Sequence, residues 1–174
     1  MSEIHFPEGF HPERLQRAHA RKAFHCGQEK VDDWLASKAL RQQNKNLSIT
    51  KVLLNPEREI AGYYTLATGQ VDFSDLPKEI TKRLPRRALP VVVLAWLGVN
   101  TAYQRRGLGQ RLLAQALQDC HEAGQIFPFI AVILDCLDDN AKAFYKKWGF
   151  EELPGYPYRL FLSASQLRRM MQSD

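Results

Sequence analysis

The sequence predicts a mixed α/β fold, in which helices cover a central sheet of parallel and antiparallel strands. Segments 47–54 and 60–71 have strand character and flank the turn-forming run 55–59, a pattern typical of an antiparallel hairpin. The run 90–99 is almost wholly apolar, as in a strand that is covered on both faces. Strands alternate with helices in the second half, which indicates parallel pairing there.

Local patterns place the other elements in chain order. After Cys26-Gly27-Gln28-Glu29, apolar residues recur at helical spacing, and this helix should end near 44–46. Segment 72–90 holds three prolines and predicts a loop with short helical pieces. Further helices are predicted at 107–122, from the cap residues 138–140 to about 148, and at 164–171, with strands at 129–136, 151–153 and 156–162.

Length and composition indicate one globular domain over residues 1–174. The apolar runs are far shorter than the ~20 residues that a membrane span needs, and the first residues do not resemble a signal peptide. Cys26, Cys120 and Cys136 lie far apart, with neither a CxxC pair nor zinc-ligand spacing. We therefore expect a cytoplasmic protein with reduced thiols, no metal and no membrane association.

Basic residues are concentrated in two places. The formal net charge is +5, which by itself favours an anionic partner only weakly. One short stretch contains Lys78, Lys82, Arg83, Arg86 and Arg87. A second group contains Arg14, Arg17, Arg21 and Lys22. Composition alone favours a solvated surface for each group, and the alternative interpretation is the binding of a phosphate-rich partner such as RNA.

The segment Gln104-Arg105-Arg106-Gly107-Leu108-Gly109 lies between the apolar strand and the next helix. A helix N-terminus offers unpaired backbone N–H groups and a partial positive charge, and glycines allow close approach to the backbone. With two adjacent arginines, this turn suits a pyrophosphate. It is not a nucleotide P-loop, because GxxxxGKS/T does not occur, and Leu112 stands in place of the third glycine of a dinucleotide motif.

These residues resemble the Q/R-x-x-G-x-G/A motif of the GNAT superfamily of N-acetyltransferases, and segment 140–150, NAKAFYKKWGF, resembles the superfamily's final conserved helix and strand. The resemblance implies a sheet splayed between two parallel strands, 91–99 and 129–136, with acetyl-coenzyme A in the gap. It also implies that the backbone of Leu97, Gly98 and Val99 lines the pantetheine arm. The other cofactor-binding residues that it implies are Gln104, Arg105, Arg106, Gly107, Leu108, Gly109, Gln110 and Asn140.

A narrower resemblance covers most of the chain. Segments 24–35, 62–69 and 90–95 are similar to the GNAT toxins of bacterial toxin–antitoxin pairs. Such a toxin acetylates the amino acid carried by charged tRNA and so stops translation. The resemblance implies a ribbon-helix-helix antitoxin as partner, and related toxins are often homodimers. Trp96 departs from the arginine that is common at its position, and His25 departs from a common aspartate.

Tyr145 is the residue best suited to act as the catalytic acid. A phenol with a pKa of ~10 can protonate a departing thiolate, whose thiol has a pKa of ~8.5, once a hydrogen bond positions it. The alternative interpretation is a packed aromatic residue with its hydroxyl at the surface. The adjacent Phe144 is expected in the core. Asn140 is interpreted either as the cap of its helix or as a contact of the pantetheine arm.

A general base is harder to identify. Segment 91–99 has no carboxylate, whereas some lysine acetyltransferases of the superfamily place one there. An α-amino group with a pKa of ~7.7–8 is unprotonated at pH 7 far more often than a lysine with a pKa of ~10.4. This difference favours aminoacyl-tRNA as the acceptor and gives the basic residues of segment 78–87 a role in binding it. Asp135 or a bound water is an alternative base.

Two other functions stay open at this point. The same cofactor motif would serve an acetyltransferase that acts on a small-molecule amine, a protein N-terminus or a lysine. The basic clusters would serve a non-catalytic module that binds RNA or a partner protein. The first function differs from the toxin in its acceptor and the second has no acceptor, so the glycine turn alone does not separate them.

Overall fold

The computed structural model describes residues 3–172 of the chain. Its strands are β1 (His11–Arg14), β2 (Ile49–Leu54), β3 (Ile60–Asp72), β4 (Ala88–Val99), β5 (Ala131–Asp135), β6 (Glu151–Leu153) and β7 (Tyr156–Ser163). Over the described residues they form one sheet in the order β1-β2-β3-β4-β5-β7-β6. The strands β4 and β5 are parallel, while β2–β3 and β5–β7 are antiparallel pairs. The prediction of a mixed sheet is therefore confirmed.

The helices are α1 (Glu29–Asp33), α2 (Ala39–Asn44), α3 (Lys78–Thr81), α4 (Leu108–Gly124), α5 (Asp139–Lys146) and α6 (Ala164–Gln172). Short 3-10 turns occur at Arg21–Ala23, Phe73–Asp75 and Thr101–Tyr103. The predicted loop with short helical pieces is confirmed by α3 and the 3-10 turn before it. No helix within residues 3–172 combines the length and the apolarity needed to cross a bilayer.

The chain divides into two compact units. The N-terminal unit comprises residues 3–67 and Leu94–Gln118, and the C-terminal unit comprises Thr68–Val93 and residues 119–172. In the N-terminal unit, α1 and α2 pack on the β2–β3 hairpin, where Leu35, Val52 and Tyr63 lose all contact with solvent. The Tyr63 hydroxyl donates to the Val31 carbonyl oxygen at 2.5 Å, which satisfies the phenol inside this cluster.

The helix predicted from Glu29 to about Asn44 is not continuous. A π-helical turn, Trp34–Lys38, separates α1 from α2. At the start of this turn the Trp34 indole N–H donates to Thr65 Oγ1 at 3.0 Å, and its ring stacks on Trp96 with centroids 5.4 Å apart. These contacts with strand residues far along the chain fix Trp34 where the helix widens, so the hydrophobic period of the helix alone does not reveal the interruption.

The C-terminal unit contains the parallel pair that the sequence predicts. Val91–Val93 of β4 pair with Ala131–Ile133 of β5. On its other side β5 pairs with Arg159–Ser163 of β7 in antiparallel register. The apolar side chains of these strands pack with segment 72–90, in a cluster that includes Val71, Leu76, Leu89, Val91, Ala131, Ile133, Leu153 and Phe161.

Helix ends in the C-terminal unit follow their capping residues. Ser163 caps α6, because its Oγ accepts the Gln166 N–H at 3.1 Å while Gln166 Oε1 accepts the Ser163 N–H at 3.1 Å. The chain after α5 passes through Gly149, whose φ of 94° is readily adopted only by glycine. Strand β2 begins at Ile49 and not at Leu47, because the Leu47 N–H closes the end of α2 by donating to the Gln42 carbonyl oxygen.

Candidate functional site

The turn between β4 and α4 has an unusual backbone. Arg105 has φ of 65° and Gly107 has φ of 78°, so two residues in the left-handed region flank Arg106. A Cβ added to Gly107 would lie 2.8 Å from Arg111 Nη1. Leu108 begins α4 with its side chain buried. The backbone conformation therefore favours glycine at 107, as the motif predicts, while the Arg111 guanidinium would have to move to accommodate a Cβ.

Backbone donors are available where α4 begins. The Arg111 N–H makes the first helical bond of this turn, to the Gly107 carbonyl oxygen at 3.2 Å. The N–H groups of Leu108, Gly109 and Gln110 precede it and have no intrahelical acceptor. The side chains of Arg105 and Arg106 are exposed next to them. Donors, helix dipole and arginines together can bind a phosphate-containing group.

Gln104 has a structural role that the motif does not reveal. Its Nε2 donates to the Cys26 carbonyl oxygen at 2.7 Å and to the Val99 carbonyl oxygen at 2.9 Å. Both side-chain N–H groups thus fasten the turn to the chain before α1 and to the end of β4. A cofactor contact from Gln104, predicted above, would have to come from its backbone or its Oε1.

Tyr103 and Asn55 support the turn and were missed in the sequence. Asn55 Nδ2 donates to the Tyr103 hydroxyl at 2.8 Å, and the Arg106 guanidinium lies 5.9 Å from the centre of the Tyr103 ring. The ring edge of Phe10 also packs on Tyr103, with centroids 5.5 Å apart. Asn55 precedes Tyr103 by 48 positions and is typical of a turn, so local sequence gives no signal of this contact.

The end of β4 passes close to α1. Gly98 is buried, and a Cβ at this position would lie 2.7 Å from Val31 Cγ1. Leu97 and Val99, on either side of it, are half-buried. The Asn100 N–H donates to the Ala61 carbonyl oxygen at 2.8 Å, which holds the strand end against β3. The structure thus explains why position 98 must be glycine, and the pantetheine contact of 97–99 stays a prediction.

Tyr145 lies in α5 of the C-terminal unit and is only 9 % exposed. The rings of Phe144 and Phe150 meet it edge to face, with centroids 5.1 Å and 5.7 Å away. Burial raises the pKa of the Tyr145 phenol, and the nearby Cys136 raises it further. The phenol therefore keeps its proton at physiological pH. Phe144 is half-buried, so the expectation of a core position for it is wrong.

Asp138, and not Asn140, caps α5. Its Oδ1 accepts the Ala141 N–H at 2.8 Å. The interpretation of Asn140 as the cap is therefore wrong. Three consecutive residues carry suitable cap oxygens, and the position at which the chain leaves β5 decides which of them is used. Asn140 is exposed in the first turn of α5, and its contact with the pantetheine arm stays a prediction.

Asp135 at the end of β5 forms an ion pair. Arg159 Nε donates to Asp135 Oδ1 at 2.8 Å, and Arg159 Nη2 donates to Oδ2 at 3.4 Å. The two residues are partners in the β5–β7 register. Next along the chain, burial raises the pKa of the Cys136 thiol to about 11. Asp135 is therefore held by a guanidinium, which makes it a positioned acceptor of hydrogen bonds.

The basic stretch of segment 78–87 is on the surface. All of its lysines and arginines are exposed: Lys78, Lys82, Arg83, Arg86 and Arg87. The Arg86 guanidinium lies 5.7 Å from the centre of the Phe73 ring, which directs it across the loop. Among residues 3–172, no group of three His, Cys, Asp or Glu residues is arranged to hold a metal ion.

The fold and the glycine turn define a class of enzyme. Residues 52–152 match the family model of the GNAT acetyltransferase domain. The chain therefore belongs to the GNAT family of acetyltransferases.

Individual relatives give more detail than the family model. The chain is 32% identical over 160 residues to the tRNA-acetylating toxin of Mycobacterium tuberculosis (strain ATCC 25618 / H37Rv). The aligned residues cover 92% of this chain and 95% of that protein. Among solved structures, AtaT complexed with acetyl-methionyl-tRNAfMet matches with a TM-score of 0.86 at 26% identity, over 94% of this chain and 99% of that one. AtaTR bound with acetyl-coenzyme A matches with a TM-score of 0.84 at 26% identity, over 95% of this chain and 100% of that one.

Proposed function

We propose that this chain transfers an acetyl group from acetyl-coenzyme A to the α-amino group of aminoacyl-tRNA in the cytoplasm, and thereby blocks translation. The observation that carries the donor part of this proposal is the turn 104–109, with two left-handed residues and free backbone donors, in a chain that belongs to the GNAT family. The name of the M. tuberculosis relative supports tRNA as the acceptor. As a toxin, the protein would be neutralised by an antitoxin, for which we propose a ribbon-helix-helix partner.

The turn is suited to the pyrophosphate of acetyl-coenzyme A. Backbone N–H groups at the start of α4 would bind its oxygens, and the exposed arginines 105 and 106 would neutralise its charge. Gly107, with φ of 78°, gives the turn a conformation that glycine adopts readily and places no Cβ in the approach to the backbone donors. We further propose that the backbone of 97–99 and the side chain of Asn140 hold the pantetheine arm. Residues 1–174 would act as a single acetyltransferase domain.

Tyr145 is the proposed acid. Acetyl-coenzyme A supplies an activated thioester. As the amine nitrogen forms its bond to the carbonyl carbon and the carbon–sulfur bond breaks, the Tyr145 phenol gives its proton to the departing sulfur. The proton that the amine loses passes through water and restores the phenol. Burial suits this role, because the raised pKa of Tyr145 keeps the phenol protonated between turnovers.

The acceptor is argued from acid–base chemistry and charge. An α-amino group with a pKa of ~7.7–8 supplies enough free base near pH 7 to react without a dedicated protein base. The exposed cations of segment 78–87 would bind the tRNA backbone. An acetyltransferase of small amines has no need of such a surface. A homodimer would present two copies of this cationic surface.

The test uses labelled acetyl-coenzyme A with three acceptors: charged tRNA, the same tRNA without its amino acid, and spermidine. We expect label on charged tRNA alone, because uncharged tRNA has no α-amino group. Label on spermidine but not on charged tRNA would instead support an acetyltransferase of small amines. Absence of label on every acceptor, with acetyl-coenzyme A still bound, would support a non-catalytic module.

A further inference from the structure

Two tryptophans of the N-terminal unit form a stacked pair that is partly exposed to solvent. The rings of Trp34 and Trp96 have centroids 5.4 Å apart and are inclined by only 16°. Both side chains pack on the apolar cluster between α1 and the β2–β3 hairpin, yet each is only half-buried. Two stacked indoles with exposed area offer a flat apolar surface on which another planar group can stack.

Trp34 is held in one orientation by its neighbours. Its indole N–H donates to Thr65 Oγ1 at 3.0 Å, and the Thr65 hydroxyl lies 2.7 Å from the buried Thr50 hydroxyl. The residue also opens the π-helical turn Trp34–Lys38, and such turns occur frequently at functional sites. The ring is therefore oriented before any ligand arrives, which lowers the entropy that stacking would cost.

Exposed cations flank Trp34 along its helix. Lys30 precedes it by one helical turn, since the Trp34 N–H donates to the Lys30 carbonyl oxygen. Lys38 follows it by about one turn and pairs with Asp33 at 3.7 Å, an exposed ion pair of a kind that contributes little and can be exchanged for a phosphate. Proteins bind single-stranded nucleic acid with this combination, because bases stack on the aromatic rings while phosphates pair with the cations.

Position 96 is one at which this chain departs from the toxins that it resembles, which commonly have arginine there. Tryptophan and arginine differ in charge, but both present a flat group, and nucleobases stack on either. The exchange thus preserves a planar surface next to Trp34. Trp96 also directly precedes Leu97–Val99, the backbone that we propose to hold the pantetheine arm.

We propose that the Trp34–Trp96 pair stacks a nucleobase of the unpaired 3′ end of tRNA and thereby positions the esterified amino acid. The inference rests on the proposed function and names residues that orient its substrate. Unstacked bases of single-stranded RNA ends are the groups that aromatic side chains recognise, whereas a base-paired stem offers no free base face. The two tryptophans are therefore positioning residues and take no part in the chemistry.

Fluorescence measures this stacking without any acetyl transfer. The chain has three tryptophans, so Trp148→Phe leaves only the proposed pair. The trinucleotide CCA, titrated with acetyl-coenzyme A saturating so that the donor site is filled, should quench the remaining emission, because a stacked base quenches an indole. Ribose 5-phosphate, which has a phosphate and no base, should not quench it. Quenching by neither compound, or by both equally, would overturn the inference.

Kinetics with charged tRNA test the positioning role. Trp96→Leu removes the planar group and should raise KM at least about tenfold while kcat stays within about twofold. Trp96→Arg restores a planar group and should recover most of this loss, which a role in packing alone does not predict. Leu40→Ala is the matched control, because Leu40 packs on the same cluster without an aromatic ring, so KM should not change.

Failure of this inference can be told from failure of the proposed function. If the wild type acetylates charged tRNA and Trp96→Leu has the same KM as Leu40→Ala, the inference alone is overturned. It is also overturned if Trp96→Arg is as impaired as Trp96→Leu. If the wild type acetylates no charged tRNA, the proposed function fails and the inference fails with it.

Discussion

Burial affects both partners of the proton transfer that we assign to Tyr145. It raises the pKa of the phenol, and the nearby Cys136 adds to the effect. A thiolate that forms beside the phenol is also poorly solvated, so the pKa of its thiol rises in the same surroundings. The gap of about 1.5 pKa units between phenol and thiol in water therefore need not widen in the protein.

Replacing the phenol tests this role at the scale of one residue. Tyr145→Phe keeps the ring packed on Phe150 and removes the proton, so kcat should fall by about 10²–10⁴-fold. The dissociation constant of acetyl-coenzyme A, measured by calorimetry, should stay within about twofold, because an unchanged site binds the donor. Tyr158→Phe is the control, since the Tyr158 hydroxyl donates to Asp139 at the surface. Equal activity of the two variants would contradict the assignment.

Single residues also show what sequence can and cannot predict. Gly107 was found from a local motif, because its conformational demand lies within a few positions of the chain. The ion pair of Asp135 with Arg159 and the bond from Asn55 to Tyr103 depend on strand register and on packing between distant segments. The spacing of apolar residues along the sequence does not predict such contacts. The choice of Asp138 as the cap of α5 depends likewise on where the chain leaves the sheet.

At the scale of elements, a substitution can test whether the glycine turn that precedes α4 binds the cofactor or only shapes the backbone. Gly107→Ala forces a residue with a Cβ to keep φ near 78° and should destabilise the protein by about 1–2 kcal/mol. It should also weaken acetyl-coenzyme A binding at least about tenfold, since the turn must shift.

Gly155→Ala is the matched control, because Gly155 has φ of 82° but no atom within 4 Å of an added Cβ. Its free energy of unfolding, measured with urea, should fall by about as much as that of Gly107→Ala, while its affinity for acetyl-coenzyme A should not change. Equal binding by the two variants would show that the turn does not hold the cofactor.

Strand β1 is tied to the β2–β3 turn by Glu13. Its carboxylate accepts hydrogen bonds from both Nη atoms of Arg58 at 3.2 Å, and His19 Nε2 lies 3.1 Å away. The hydrogen bonds of Arg58, His11 and His19, in that order, lower the pKa of Glu13 from 4.5 to about 2. Because the pKa is depressed in the folded state, the stabilisation is complete above about pH 5 and is lost as the pH falls from 4.5 through 2.

Glu13→Gln should therefore lower the melting temperature at pH 6, and the difference from the wild type should shrink progressively as the pH falls through this window. The measurement is thermal unfolding at a series of pH values. A difference that stays constant down to pH 2 would mean that the ionised carboxylate contributes nothing to folding.

For the whole molecule, charge on the surface should govern the encounter with tRNA. Lys82→Ala combined with Arg86→Ala removes two exposed cations of segment 78–87. It should raise KM for charged tRNA by about tenfold and reduce the slope of log KM against log salt by about 1.5, since each phosphate contact contributes about 0.7–0.9. The matched pair Arg17→Ala and Lys22→Ala, exposed in the second basic group, should change both quantities less. Equal effects of the two pairs would indicate general attraction rather than a binding surface.

The central claim concerns the bond that is formed, and mass spectrometry of the amino acid released from tRNA tests it most directly. After incubation with acetyl-coenzyme A and gentle hydrolysis of the ester, the released amino acid should carry one acetyl group on its α-nitrogen. That product should be absent without acetyl-coenzyme A and strongly reduced with Tyr145→Phe. An unmodified amino acid, recovered while another amine in the mixture is acetylated, would contradict the account.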